Sequence, residues 1–121
     1  MDEIPESELR KYVLQFLKEF KDLIFEHGLF VTNRLVNRDA LLNLGLTDRQ
    51  RDEIILSLSV TDYSAGPTSD EYEPGDYWIF GKKIDGVEVY IKLRITEKSG
   101  YERAKCLSFH KAELPLSYPF E

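Results

Sequence analysis

The sequence predicts an α+β fold in which N-terminal helices pack on a small antiparallel β-sheet. Three observations carry that prediction. Apolar residues recur at helical spacing through residues 6–28. Apolar and polar residues alternate with a period of two through most of 77–111. The two patterns follow one another along the chain and do not interleave. The 121 residues suffice for one domain with a real core. No repeat, low-complexity run or linker divides them, so 1–121 reads as one domain. It is helical over 1–60, an acidic loop over 61–76, an antiparallel sheet over 77–112 and an extended tail over 113–121.

The first element is the segment "PESELRKYVLQFLKEFKDLIFEHG". Leu9, Val13, Phe16, Leu17, Phe20 and Ile24 recur on one helical face, Ser7 is placed to cap it, and Gly28 to end it. "LFVTNR" is a short strand or an extended connection. "NRDALLNLG" reads as a short helix closed by Gly45. In "TDRQRDEIILSL", Thr47 and Gln50 fit a capping box, with Ile54, Ile55 and Leu58 as the apolar stripe. "VTDYSAGPTSDEYEPGD" has the prolines, glycines and acids of a loop.

Strand signals follow. "YWIFGKKI" and "VEVYIKLRI" flank Asp85-Gly86, a strong two-residue hairpin signal. That turn pairs Ile84 with Val87, Phe80 with Ile91 and Trp78 with Leu93, all apolar and on one face. It also sets Tyr77 beside Arg94, Ile79 beside Lys92 and Gly81 beside Tyr90. Gly81, having no side chain, should leave the space across from Tyr90 open. "AKCLSFHKA" alternates again. With Leu107 and Phe109 on the core face, Cys106, Ser108 and His110 fall on the other, beside Tyr90, Lys92 and Arg94. A turn centred on Gly100 places His110 directly opposite Tyr90.

Composition narrows the function. No apolar run is long enough to span a membrane, and the acidic start "MDEIPESELRKY" is unlike a signal or transit peptide. Cys106 is the single cysteine, which excludes an internal disulfide and suits a reducing cytoplasm. With His27 and His110 as the two histidines, a Cys/His zinc site cannot be assembled in one chain, and no spacing suggests a carboxylate site, so no metal or cofactor is expected. The net charge of −6 argues against a simple nucleic-acid binder. It hides an asymmetry, however. Asp62, Asp70, Glu71, Glu73 and Asp76 stand without a base before Lys82. Lys82, Lys83, Lys92, Arg94, Lys98, Arg103, Lys105 and Lys111 outnumber the acids after it.

From "ALLNLGLTDRQRDEIILSLSVTDYS" through "GDYWIFGKKIDGVEVYIKL" to "KCLSFHKAE", the chain resembles the motility quorum-sensing regulator (MqsR) toxins. The matching features run in the same order over roughly residues 40–111: "ALLN…LGL", "LS…DY", an aromatic strand after an acidic loop, "VYIK" and "LSFHK". The resemblance implies a RelE-like microbial ribonuclease fold. It further implies an mRNA-interferase toxin of a type II toxin–antitoxin pair, with RNA as substrate and a cognate antitoxin as partner. The family's strand tyrosine falls on Tyr90, and its basic residue after Ser-Phe falls on His110. Its lysine falls near Ala65 and its glutamine near Gly75, so both are absent here.

Metal-independent RNA cleavage by 2′-hydroxyl attack needs a base, an acid and cations on the charged phosphorane. An unperturbed imidazole titrates near pH 6.5, so His110 is the expected acid or base. Tyr90 is a phosphate donor, base platform or proton carrier, and Lys92 and Arg94 are the phosphate-holding cations. These four are the expected catalytic residues, with Lys111, Tyr77 and Lys83 as RNA contacts. The same residues also suit a solvated sheet face. The alternative function is a non-catalytic module on the same fold, binding a protein partner or nucleic acid. A purely structural interaction domain is a third.

Overall fold

The Asp85-Gly86 turn sets the register of the sheet. Both residues take positive φ, 51° and 81°, as a two-residue hairpin turn demands. The pairing that follows is the expected one throughout, including Trp78 with Leu93, Ile79 with Lys92 and Gly81 with Tyr90. The computed structural model describes residues 4–71 and 75–121. These form helices α1 (Glu6–His27), α2 (Leu35–Leu44) and α3 (Asp48–Leu56), and strands β1 (Leu29–Val31), β2 (Tyr63–Ser69), β3 (Asp76–Ile84), β4 (Val87–Lys98) and β5 (Tyr101–Lys111). The sheet order is β1-β5-β4-β3-β2. The fold is α+β, three helices with a five-stranded sheet.

Two strands depart from the sequence reading. "LFVTNR" contains β1, which lies parallel to β5, so the sheet is mixed and not wholly antiparallel. Residues 63–69, expected as loop, form edge strand β2, antiparallel to β3 with two register shifts. Its Gly66 and Pro67 mark an edge, where an irregular ladder is tolerated. Tyr63, at the start of β2, is buried and its hydroxyl donates to the Gly66 carbonyl within the same strand.

The helices follow their periodicity. Val13, Phe16, Leu17 and Phe20 of α1 are buried, and Phe16 stacks on Trp78 at 4.9 Å between ring centroids. Such aromatic pairs are worth about 0.5–1.5 kcal/mol beyond the area they bury. Pro5, not Ser7, is the N-cap of α1, and Gly28 ends it with φ 80° and its N–H donating to the Ile24 carbonyl. A Pro at the boundary forgoes a donor the first turn cannot satisfy. The Thr47–Gln50 capping box opens α3 as expected, with both reciprocal bonds present.

β5 carries a bulge. Lys92 pairs with Ser108, but Leu93 pairs with Cys106, so Leu107 is the extra residue. This bulge corrects the expected position of Cys106. The turn between β4 and β5 is Ser99-Gly100, and continuous pairing from it would set Tyr90 beside Phe109. The bulge shifts the strand by one, restores Tyr90 opposite His110, and turns Cys106 into the core, where it is fully buried.

Candidate functional site

The sheet has an inner face on the helical core and an outer face that carries Tyr77, Ile79, Gly81 and Lys83 from β3, Glu88, Tyr90, Lys92 and Arg94 from β4, and Lys105, Ser108 and His110 from β5. On this face lies a cleft of about 480 Å³, lined by Arg34, Tyr90, Lys92, Ser108, His110, Glu113, Leu114, Pro115 and Leu116. Its volume is within the roughly 300–1,000 Å³ usual for small-ligand sites.

Tyr90 and His110 both line the cleft from neighbouring strands. Their rings stack at 5.4 Å with a 23° interplanar angle. His110 Nδ1 lies 3.0 Å from the Lys111 carbonyl oxygen. A carbonyl accepts only, so a neutral His110 carries its proton on Nδ1 and keeps the Nε2 lone pair. Burial, and then the neighbouring Tyr77 hydroxyl, raise Tyr90 above the ordinary phenol value, which keeps it a hydrogen-bond donor at neutral pH. Lys92 Nζ sits 4.0 Å above the Tyr77 ring, a cation–π contact that holds the ammonium beside the cleft.

The bulge and α2 position His110. A bulged strand leaves backbone groups without ladder partners. Here Asn37, a buried residue of α2, supplies them: its Nδ2 donates to the Leu107 carbonyl at 3.2 Å and the Thr32 carbonyl at 3.1 Å, and its Oδ1 accepts from Phe109 N–H at 3.1 Å. The same helix starts at Arg34, its N-cap, which reaches the cleft with the positive end of the helix dipole behind it. Neither residue was expected as part of the site. Asn37 had a visible signal: it shares an i, i+3, i+4, i+7 stripe with Ala40, Leu41 and Leu44, a polar residue on an inward face.

Of the expected residues, the fold brings Tyr90, Lys92 and His110 together and adds Arg34. Arg94 does not join them. Its side chain is fully buried and its Nη1 donates to Asp70 Oδ2 at 2.9 Å, just past the end of β2. Tyr77 supports Lys92. Lys111 lies in the neighbouring groove with Leu35, Val36 and Asp39, which His110 and Glu113 also line. Lys83 sits beyond the tail, in a depression shared with Asp62, Glu88 and Tyr118. The acidic loop is not simply solvated, because Asp70 holds Arg94; Glu73 lies outside the described residues.

The tail corrects the expected open space beside Tyr90. Residues 112–121 cross the outer face, and Leu116 and Tyr118 fill the position over Gly81, where a built Cβ would stand 2.6 Å from Leu116 Cδ1 and collide with the Tyr118 hydroxyl. Glu88 anchors this crossing, accepting from Leu116 N–H at 3.0 Å and from the Tyr118 hydroxyl at 2.7 Å. Those bonds hold Glu88 below the ordinary carboxylate value, the Tyr118 hydroxyl contributing most and Leu116 N–H next. Burial, and then the Glu88 bond, raise Tyr118. Phe120 ends the crossing, buried against Tyr63 at 5.4 Å between centroids.

No family model matches the chain, and searches of curated proteins and of solved structures return no significant match. Among the described residues, no helix is long and apolar enough to cross a membrane, and no group of three His, Cys, Asp or Glu side chains is arranged to hold a metal ion.

Proposed function

We propose that the protein is an RNA endonuclease that cleaves by attack of the ribose 2′-hydroxyl, working as the toxin of a type II toxin–antitoxin pair. The observation that carries the nuclease reading is the Tyr90–His110 pair in a cleft flanked by Lys92 and Arg34. His110 Nε2 takes the 2′-hydroxyl proton as the 2′-oxygen bonds to phosphorus. The bond from phosphorus to the 5′-oxygen breaks, and that oxygen takes a proton from water. The proton on His110 then returns to solvent. Tyr90 donates to a phosphate oxygen, and Lys92 and Arg34 balance the charge of the phosphorane. The products are a 2′,3′-cyclic phosphate and a free 5′-hydroxyl. The toxin role rests on the resemblance to the motility quorum-sensing regulator family, and with it an antitoxin partner and a cytoplasmic site of action.

One observation favours the second reading, a module that binds nucleic acid without cutting it. Arg94 is committed to Asp70, so the phosphorane has one cation fewer than the strand alternation offers. The test is incubation of the protein with a labelled mixed-sequence RNA in the presence of a chelator. Fragments with cyclic-phosphate ends support the nuclease. Salt-sensitive binding of intact RNA supports the module, and no binding at any salt contradicts both.

A further inference from the structure

Leu114 is 78% exposed although it belongs to a tail anchored on both sides. Before it, Ala112 N–H donates to the Glu88 carbonyl at 2.9 Å. After it, Leu116 and Tyr118 are held by the Glu88 carboxylate, and Phe120 is packed against Tyr63. A fixed segment thus leaves a large apolar side chain in solvent on the wall of a cleft whose lining also holds Tyr90, His110, Lys92, Arg34, Ser108 and Glu113. Leu114, Pro115 and Leu116 form one wall, and Tyr90, His110 and Lys92 belong to the sheet floor.

We infer that the tail is a substrate clamp: an unpaired nucleobase lies between Leu114–Leu116 and the Tyr90–His110 rings, with its phosphates on Lys92 and Arg34. This deepens the nucleic-acid reading and rests on it. Nucleobases stack on apolar and aromatic surfaces whatever their identity, while phosphates seek cations. A base inside a duplex is covered on both faces and cannot enter, so the clamp makes the site selective for single strands. Leu114 is then a specificity-determining residue. The carboxylate of Glu88 is a positioning group, acting through the tail and touching no substrate.

The test uses the full chain and a 2′-O-methyl RNA oligonucleotide, which cannot undergo 2′-attack, as single strand and as duplex. The expected result is tighter binding of the single strand. Leu114→Ala should weaken it about five- to tenfold, in line with the loss of one apolar contact to a base. Leu114 is exposed, so this variant keeps its fold. A second variant, Glu88→Gln, should raise KM for a cleavable RNA several-fold with kcat nearly unchanged, because the reacting groups stay in place. Equal affinity of the wild type for single strand and duplex overturns the clamp. Equal affinity of wild type and Leu114→Ala for the single strand overturns it too, and leaves the nucleic-acid reading standing. Absence of binding by the wild type overturns both together.

Discussion

Lys92 and Arg94 are two residues apart on one strand face, yet their environments assign them opposite work. Lys92 is half-exposed at a cleft, while Arg94 is fully buried and paired with Asp70. Removing one partner of a buried ion pair leaves an uncompensated charge, so Arg94→Ala should lose about 3–5 kcal/mol in denaturant unfolding. Lys92→Ala should leave stability nearly unchanged and reduce the slope of log affinity against log salt by about 0.7, one phosphate contact on a single strand. The reverse pattern would restore Arg94 to the site. Strand alternation could place both residues on the outer face, but it could not say which would be covered. The ion-pair partner of Arg94, Asp70, lies 24 positions away in sequence, in a segment read as loop.

At the scale of elements, the β5 bulge and α2 act as one device. The bulge brings His110 opposite Tyr90, and Asn37 satisfies the backbone that the bulge strands. Asn37→Leu removes both β5 bonds and the bond to the Thr32 carbonyl in a buried place. It should lower stability by about 1–3 kcal/mol for the unsatisfied groups. It should also reduce cleavage, since the β5 backbone that carries His110 loses its anchor, whereas Arg34→Ala should reduce cleavage with stability nearly unchanged. Measuring both quantities on both variants checks this. The hairpin at Asp85-Gly86 was legible to the residue because a two-residue turn leaves no freedom in register. The β4–β5 register was legible in its outcome only: Tyr90 meets His110 as expected, but through an unforeseen bulge that also carries Cys106 inward. The parallel pairing of β1, itself read as a short strand or a connection, and the whole of β2 were hidden for a related reason. Short or Gly/Pro-bearing edge strands take their order from pairing with a neighbour, which local pattern does not record.

For the whole molecule, the tail crosses the outer face and ties it to the core through Phe120. The tail latch should depend on pH at both ends. Glu88 is depressed on folding, so its contribution is complete above the ordinary carboxylate value of about 4.3 and is lost as pH falls through the lower folded value. Tyr118 is raised, so its contribution is complete below about 10 and is lost as pH rises through the higher folded value. Protection of the Leu116 amide from hydrogen exchange, corrected for intrinsic rate, should therefore be flat between those limits, and Glu88→Gln should abolish the acid limb. Burial pushes the Cys106 thiol up to about 12, so alkylation of native protein at neutral pH should proceed only at the rate of opening of the sheet core. Rapid alkylation would contradict the inward turn of β5. The central claim is that His110 performs RNA chemistry from this cleft. The measurement that tests it most directly compares wild type and His110→Ala on one labelled RNA in chelator, with product ends identified. The expected result is discrete fragments ending in 2′,3′-cyclic phosphate from the wild type and a loss of about 10²–10⁴-fold in the variant. Intact RNA with the wild type, or equal cleavage by both proteins, would contradict it.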